Sequence, residues 1–131
     1  MLTARVVTTL EAPVAKVFQA WLDPTAMAGW FWPFPASYEI NAHVGGGFHF
    51  ASEHIGVSGR YLEIEEPGRL AFTWVWDGEA EETQVAVNFR PASATTELII
   101  EHTGNPDAET RDNHAQGWTD CVARLGPFLG S

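Results

Sequence analysis

The sequence predicts an α+β fold, an antiparallel sheet with helices laid on one face. Three observations carry that expectation. Apolar residues alternate with polar ones through a series of short segments at regular spacing, the pattern of strands buried on one side. Ahead of most of them lies a stretch with apolar residues three and four apart, and the tail repeats that spacing over about twenty positions. The order strand, two helices, six strands, long helix then packs as a sheet layer against a helix layer.

Residues 3–10 (TARVVTTL) are rich in β-branched side chains and read as the first strand. Pro13 suits a first helical turn, where its missing N–H costs nothing. Val14, Val17, Phe18, Trp21 and Leu22 then make one helical stripe, ended by Asp23-Pro24. A second short helix carries Met27 and Trp30 and stops at Pro33 and Pro35. Strands follow at 37–43, 47–53, 57–66 and 69–76, separated by the Gly45–Gly47 turn and the Pro67-Gly68 turn. Asp77-Gly78 signals a hairpin. Val85, Val87 and Phe89 alternate as far as Pro91, and Thr96, Leu98, Ile100 and His102 as far as Gly104-Asn105-Pro106. His114, Trp118, Cys121, Val122, Leu125 and Leu129 predict a helix over about 107–129, with Asp107, Glu109 and Asp112 near its positive end and Pro127 disturbing its last turn.

Composition excludes several functions. The chain has 131 residues, suited to one domain, and a net charge of -10. Lys16 and six scattered arginines cannot form the basic patch that nucleic acid or an anionic membrane needs. One cysteine, Cys121, leaves no internal disulfide and no cysteine zinc site, and fits a reducing cytoplasm. No targeting segment and no membrane-spanning run is expected. His43, His49 and His54 lack metal-ligand spacing, so neither a metal nor another cofactor is expected. The Gly45–Gly47 run opens no helix and is a turn, not a phosphate loop. The acidic clusters around Glu63 and Asp77 read as solvated surface.

The order of motifs resembles a known family. Ala12-Pro13, Val17-Phe18, Ala20-Trp21 and Asp23-Pro24, then Trp30 and Pro33, are similar to the opening of the activator of Hsp90 ATPase homologue 1-like family, in the START-like helix-grip superfamily. Gly46-Gly47, Gly59-Arg60-Tyr61, Arg69-Leu70, Phe72-Thr73-Trp74, His102 and Gly104, then His114 and Gly117-Trp118 follow in that family's order. The resemblance implies a single START-like domain over 1–131, with a seven-stranded antiparallel sheet curled around the long C-terminal helix and a cavity between them. It leaves the chemistry open, because the superfamily spans binders, cyclases and co-chaperones, and function lives in the site.

Sixteen rings among 131 residues supply the site hypothesis. Trp30, Trp32 and Phe34 crowd a proline-flanked loop, and Phe48, Phe50, Trp74, Trp76 and Phe89 fall on inward strand positions, joined by Tyr61 and Trp118. Together with His102, His114 and Cys121 they are expected to line a ligand cavity, with the imidazoles as polar handles. The alternative for each is a core ring or an internally bonded histidine. The leading expectation is non-catalytic binding of a small hydrophobic or aromatic molecule, in a protein that can form a homodimer. A co-chaperone-like interaction module using the exposed acids and the Trp30–Phe34 loop is one alternative. An enzyme with His102 or His114 as general base is another, although no nucleophile motif supports it.

Overall fold

The computed structural model describes residues 1–130. Its elements are β1 (Leu2–Leu10), α1 (Val14–Ala20), α2 (Pro24–Trp30), β2 (Ala36–Ile40), β3 (Gly47–Ser52), β4 (Gly56–Glu65), β5 (Arg69–Trp76), β6 (Thr83–Ala92), β7 (Thr95–Asn105) and α3 (Ala108–Leu129). The seven strands form one antiparallel sheet in the order β1-β7-β6-β5-β4-β3-β2. After β1 the chain crosses to the far edge through α1 and α2, then returns strand by strand until β7 pairs with β1. The helices cover one face, which makes the expected helix-grip arrangement.

Local chemistry accounts for the boundaries. Asp23 caps α2 by accepting from the Thr25 N–H at 3.0 Å, and Pro24 occupies the first helical turn. Asp107 caps α3 in the same way through Thr110, and those bonds hold its carboxyl below its ordinary pKa. The second strand stops at Ile40, short of the expected 43, because Asn41–Gly46 folds into a tight loop with Gly45 at φ +87°. The Asp77-Gly78 signal marks a longer link over 77–82, not a two-residue hairpin. Pro91 does not end β6. Pairing with β5 stops at Asn88, so Pro91 faces only β7 and its missing N–H interrupts no ladder. Pro127 lies inside α3, which still runs to Leu129.

The core sits between the sheet and the helices. Phe48, Phe50, Tyr61, Leu70, Phe72, Trp74, Val85, Val87, Phe89, Leu98 and Ile100 face Phe18, Trp21, Met27, Trp30, Phe31, Trp118, Val122 and Leu125. Gly59 shows how tightly β4 lies against β5 and β3: a Cβ there would strike the Thr73 carbonyl and the Phe48 ring. Most rings of the core meet edge-on or tilted, as with Phe18 on Phe89 and Phe31 on Phe50, each at 5.2 Å between centroids.

Candidate functional site

The room expected between sheet and helix is filled by side chains. The void enclosed by Trp21, Phe31, Phe48, Tyr61, Phe72 and Trp118 holds only about 10 Å³, the space of a single water at most. The physical reason lies in α1 and α2, whose Phe18, Trp21, Trp30 and Phe31 rings enter from the helix side and close on those of the sheet. Trp30 and Phe31 are each 1% exposed, so the Trp30–Phe34 segment is largely core and leaves Phe34, at 41%, as its outward ring. Phe48, Phe50, Tyr61 and Phe89 are likewise packed core residues. Burial raises the Tyr61 hydroxyl pKa.

Open space lies instead at the mouth of the grip. A cleft of about 300 Å³ runs between α3, the 31–33 segment after α2, Ile55 and the end of β5. Phe31, Trp32, Trp74, Trp76 and Trp118 form its aromatic walls, and His114, Gly117, Asp120, Cys121 and Arg124 come from α3. Gly117 leaves part of that space, since a Cβ there would meet nothing within 4 Å. Beyond Trp76 and His114 lies a second, more polar cleft of about 400 Å³, edged by Glu79, Glu81 and Asp107. A larger depression of about 460 Å³ is rimmed by Glu53, Asp77 and Glu79, and gathers acids without aromatic walls beyond Trp76.

Sequence patterning places His102 and His114 inward, and the fold stacks them, with ring centroids 3.9 Å apart and planes 17° from parallel. Their hydrogen bonds determine their state. Asn105 donates Nδ2 to the carbonyls of Leu2 and His102 at 2.9 and 2.7 Å, which leaves its Oδ1 facing His114 Nδ1 at 2.6 Å. His114 therefore carries its proton on Nδ1, and its Nε2 accepts the Trp76 indole N–H at 3.0 Å. His102 Nδ1 accepts the Trp118 indole N–H at 3.1 Å, so its proton lies on Nε2, toward the Thr83 hydroxyl oxygen 2.6 Å away. Burial first, then the neighbouring His114, lowers the His102 pKa to about 3. Burial lowers that of His114 as well, against a smaller opposing pull from Glu79. Both rings are neutral near pH 7, and each spends its basic lone pair on a tryptophan.

Cys121 is buried, and its Sγ donates to the Phe31 carbonyl at 3.2 Å. Burial pushes its thiol up to about 12, with Arg124 pulling weakly the other way, so it is no ready nucleophile. Arg124 donates Nε to the Trp30 carbonyl at 3.0 Å and Nη2 to that of Phe31. It thereby meets carbonyls left unpaired at the end of α2. Sequence patterning singled out neither Thr83, Asn105, Gly117 nor Arg124 for the site. Among the described residues no cluster of His, Cys, Asp or Glu has a geometry suited to a metal ion, and no helix is long and apolar enough to cross a membrane. His49 instead pairs with Asp77 at 3.0 Å on the surface.

Comparison with known proteins agrees with this architecture. The family model described as Activator of Hsp90 ATPase homolog 1-like protein matches residues 11–130. Protein CV1439 from Chromobacterium violaceum is similar at 30% identity, with 98% of each chain covered and a TM-score of 0.86. DynU16, a putative protein in the dynemicin biosynthetic locus, is 24% identical with a TM-score of 0.88, over 98% of this chain and 47% of that one. PFC0360w, an HSP90 activator from Plasmodium falciparum, is 19% identical with a TM-score of 0.80, over 99% of this chain and 97% of that one. The last two likenesses show the fold alone. No curated protein matches the chain.

Proposed function

The chain belongs to the Activator of Hsp90 ATPase homolog 1-like protein family, and from that premise we propose that it binds a small, flat, hydrophobic or aromatic molecule without transforming it. The observation that carries this reading is the 300 Å³ cleft walled by Trp32, Trp74, Trp76 and Trp118 beside a core that is already closed. Its volume is at the lower end of small-molecule sites, and indole walls suit an apolar or aromatic guest. Trp74 adds a buried indole N–H without a partner among the described residues. The lone buried thiol suits a reducing interior such as the cytoplasm.

Catalysis has weaker support. A general base needs a lone pair within reach of its substrate. Those of His102 and His114 already accept indole N–H groups. The co-chaperone-like reading needs an exposed aromatic loop, and that segment keeps only Phe34 substantially outside.

Gly117 provides the test. Replacing glycine inside a helix favours the helix by up to about 1 kcal/mol, and Gly117→Leu places its side chain in the cleft without entering the core. The variant is expected to unfold at a temperature no lower than the wild type. Its affinity for N-phenyl-1-naphthylamine, followed by dye fluorescence, should drop about tenfold, equivalent to about 1.4 kcal/mol. Equal binding to both proteins, or none to the wild type, would refute the proposal.

A further inference from the structure

We propose that the ligand of this cleft carries an anionic group, a carboxylate or sulfonate attached to its ring system, and that Arg124 receives it. The inference rests on the binding reading above and adds the charge of the guest. Arg5, Arg60, Arg69, Arg90 and Arg111 each have a carboxylate oxygen within 4.0 Å. Arg124 is the one arginine with no such partner among the described residues, and it stands in the wall of the aromatic cleft.

Its isolation is built into the local structure. Asp120 lies four residues earlier on α3, the spacing at which ion pairs form along a helix. Yet Asp120 accepts from Gln116 Nε2 at 2.9 Å, on an exposed side of the helix. Arg124 is turned to α2, where its Nε and Nη2 are held by the carbonyls of Trp30 and Phe31, with Cys121 Sγ 3.6 Å from Nη2. These contacts orient the guanidinium plane but supply only partial charges. They leave Nη1 without a partner among the described residues and not sealed from solvent.

A half-buried guanidinium beside apolar walls attracts an anion more strongly than one in open water, because screening is weaker there. In a chain of net charge -10, this is the one arginine an acidic guest could reach without displacing a protein carboxylate. Lys16, the other side-chain cation with no carboxylate partner among the described residues, donates to the Leu129 carbonyl and does not line the cleft. Asp120 also borders the cleft, and its repulsion is softened by solvent. A planar ring between the indoles, with its acid group on Nη1, uses the cleft's apolar and charged features together. A role confined to capping α2 would make the cleft indifferent to the charge of its guest, which gives the test its contrast.

Two dyes of nearly the same ring system separate the cases: 8-anilinonaphthalene-1-sulfonate, an anion, and neutral N-phenyl-1-naphthylamine. The wild type should bind the anion about tenfold more tightly, an effect of about 1.4 kcal/mol. That preference should shrink as ionic strength rises from about 0.01 to about 1 M, where the screening length falls from about 30 to about 3 Å. Arg124→Gln should bring the two affinities within about twofold of each other while binding of the neutral dye persists. If the glutamine variant fails to fold, the wild-type preference and its salt dependence decide the matter, with Arg124→Lys expected to retain part of both. Equal wild-type affinities, or a preference that survives in Arg124→Gln, overturn this inference alone. Failure of the wild type to bind either dye overturns the binding reading beneath it.

Discussion

Stability should fall by about 3 kcal/mol between pH 7 and pH 4 through His102 alone. In the unfolded chain this ring takes up a proton near its ordinary pKa of 6.5, whereas in the fold it resists protonation down to about 3. Between those values the unfolded state binds more protons, so stability drops as the pH falls, beginning near 6.5 and ending near 3. The steepest slope is about 1.4 kcal/mol per pH unit for one such group. His114 contributes in the same direction, since its pKa is also depressed. The structural cause is specific: a proton on His102 Nδ1 would oppose the Trp118 N–H and place a cation beneath a second imidazole 3.9 Å away. Urea unfolding at a series of pH values reads the slope directly. A flat profile between pH 6.5 and 4.5, above the range of ordinary carboxylates, would contradict it. His102→Leu should be less stable at pH 7 yet lose most of the slope.

Trp118→Ala is expected to cost about 4 kcal/mol, a large part of the 5–15 kcal/mol typical of a whole domain. This ring stacks on Trp21 at 5.8 Å, meets Trp74 at 5.2 Å and Phe31 at 5.9 Å, and donates to His102. Truncation removes the central contact between α3 and the sheet and leaves an imidazole acceptor unpaired. Trp118→Phe separates the two effects. It keeps most of the ring packing and loses the hydrogen bond, and should cost about 1–2 kcal/mol. Denaturant midpoints of the three proteins give the comparison. A loss below about 1 kcal/mol for the alanine variant would mean that neighbouring rings close the gap.

The fold was readable in the sequence because the strands send their large apolar side chains to one face. Leu70, Phe72 and Trp74, or Leu98, Ile100 and His102, announce that face by alternation alone. The site was less readable because its decisive contacts join residues far apart in the chain. Trp76 and His114 are 38 positions apart, Trp118 and His102 are 16 apart, and Arg124 lies 94 beyond Trp30. Thr83 comes under His102 only because β6 pairs with β7 in the register that sets Val85 opposite His102. Inward direction was therefore legible, but not which inward rings would be sealed and which would border open space. Trp74 and Trp76 share one alternation, yet Trp74 is buried and Trp76 is half-buried at the mouth. Their difference comes from where α3 ends its cover, a tertiary fact that periodicity does not carry.

The bond from Trp76 to His114 also gives the molecule an optical signature. Trp21, Trp30, Trp74 and Trp118 are buried, so their emission is set by an apolar interior. Trp32 and Trp76 border the cleft, and Trp76 lies nearly parallel to an imidazole, 11° between planes. A guest in the cleft, as proposed above, would change the surroundings of these two chromophores. The proposed binding would thus carry its own label, read in native tryptophan fluorescence without any added probe.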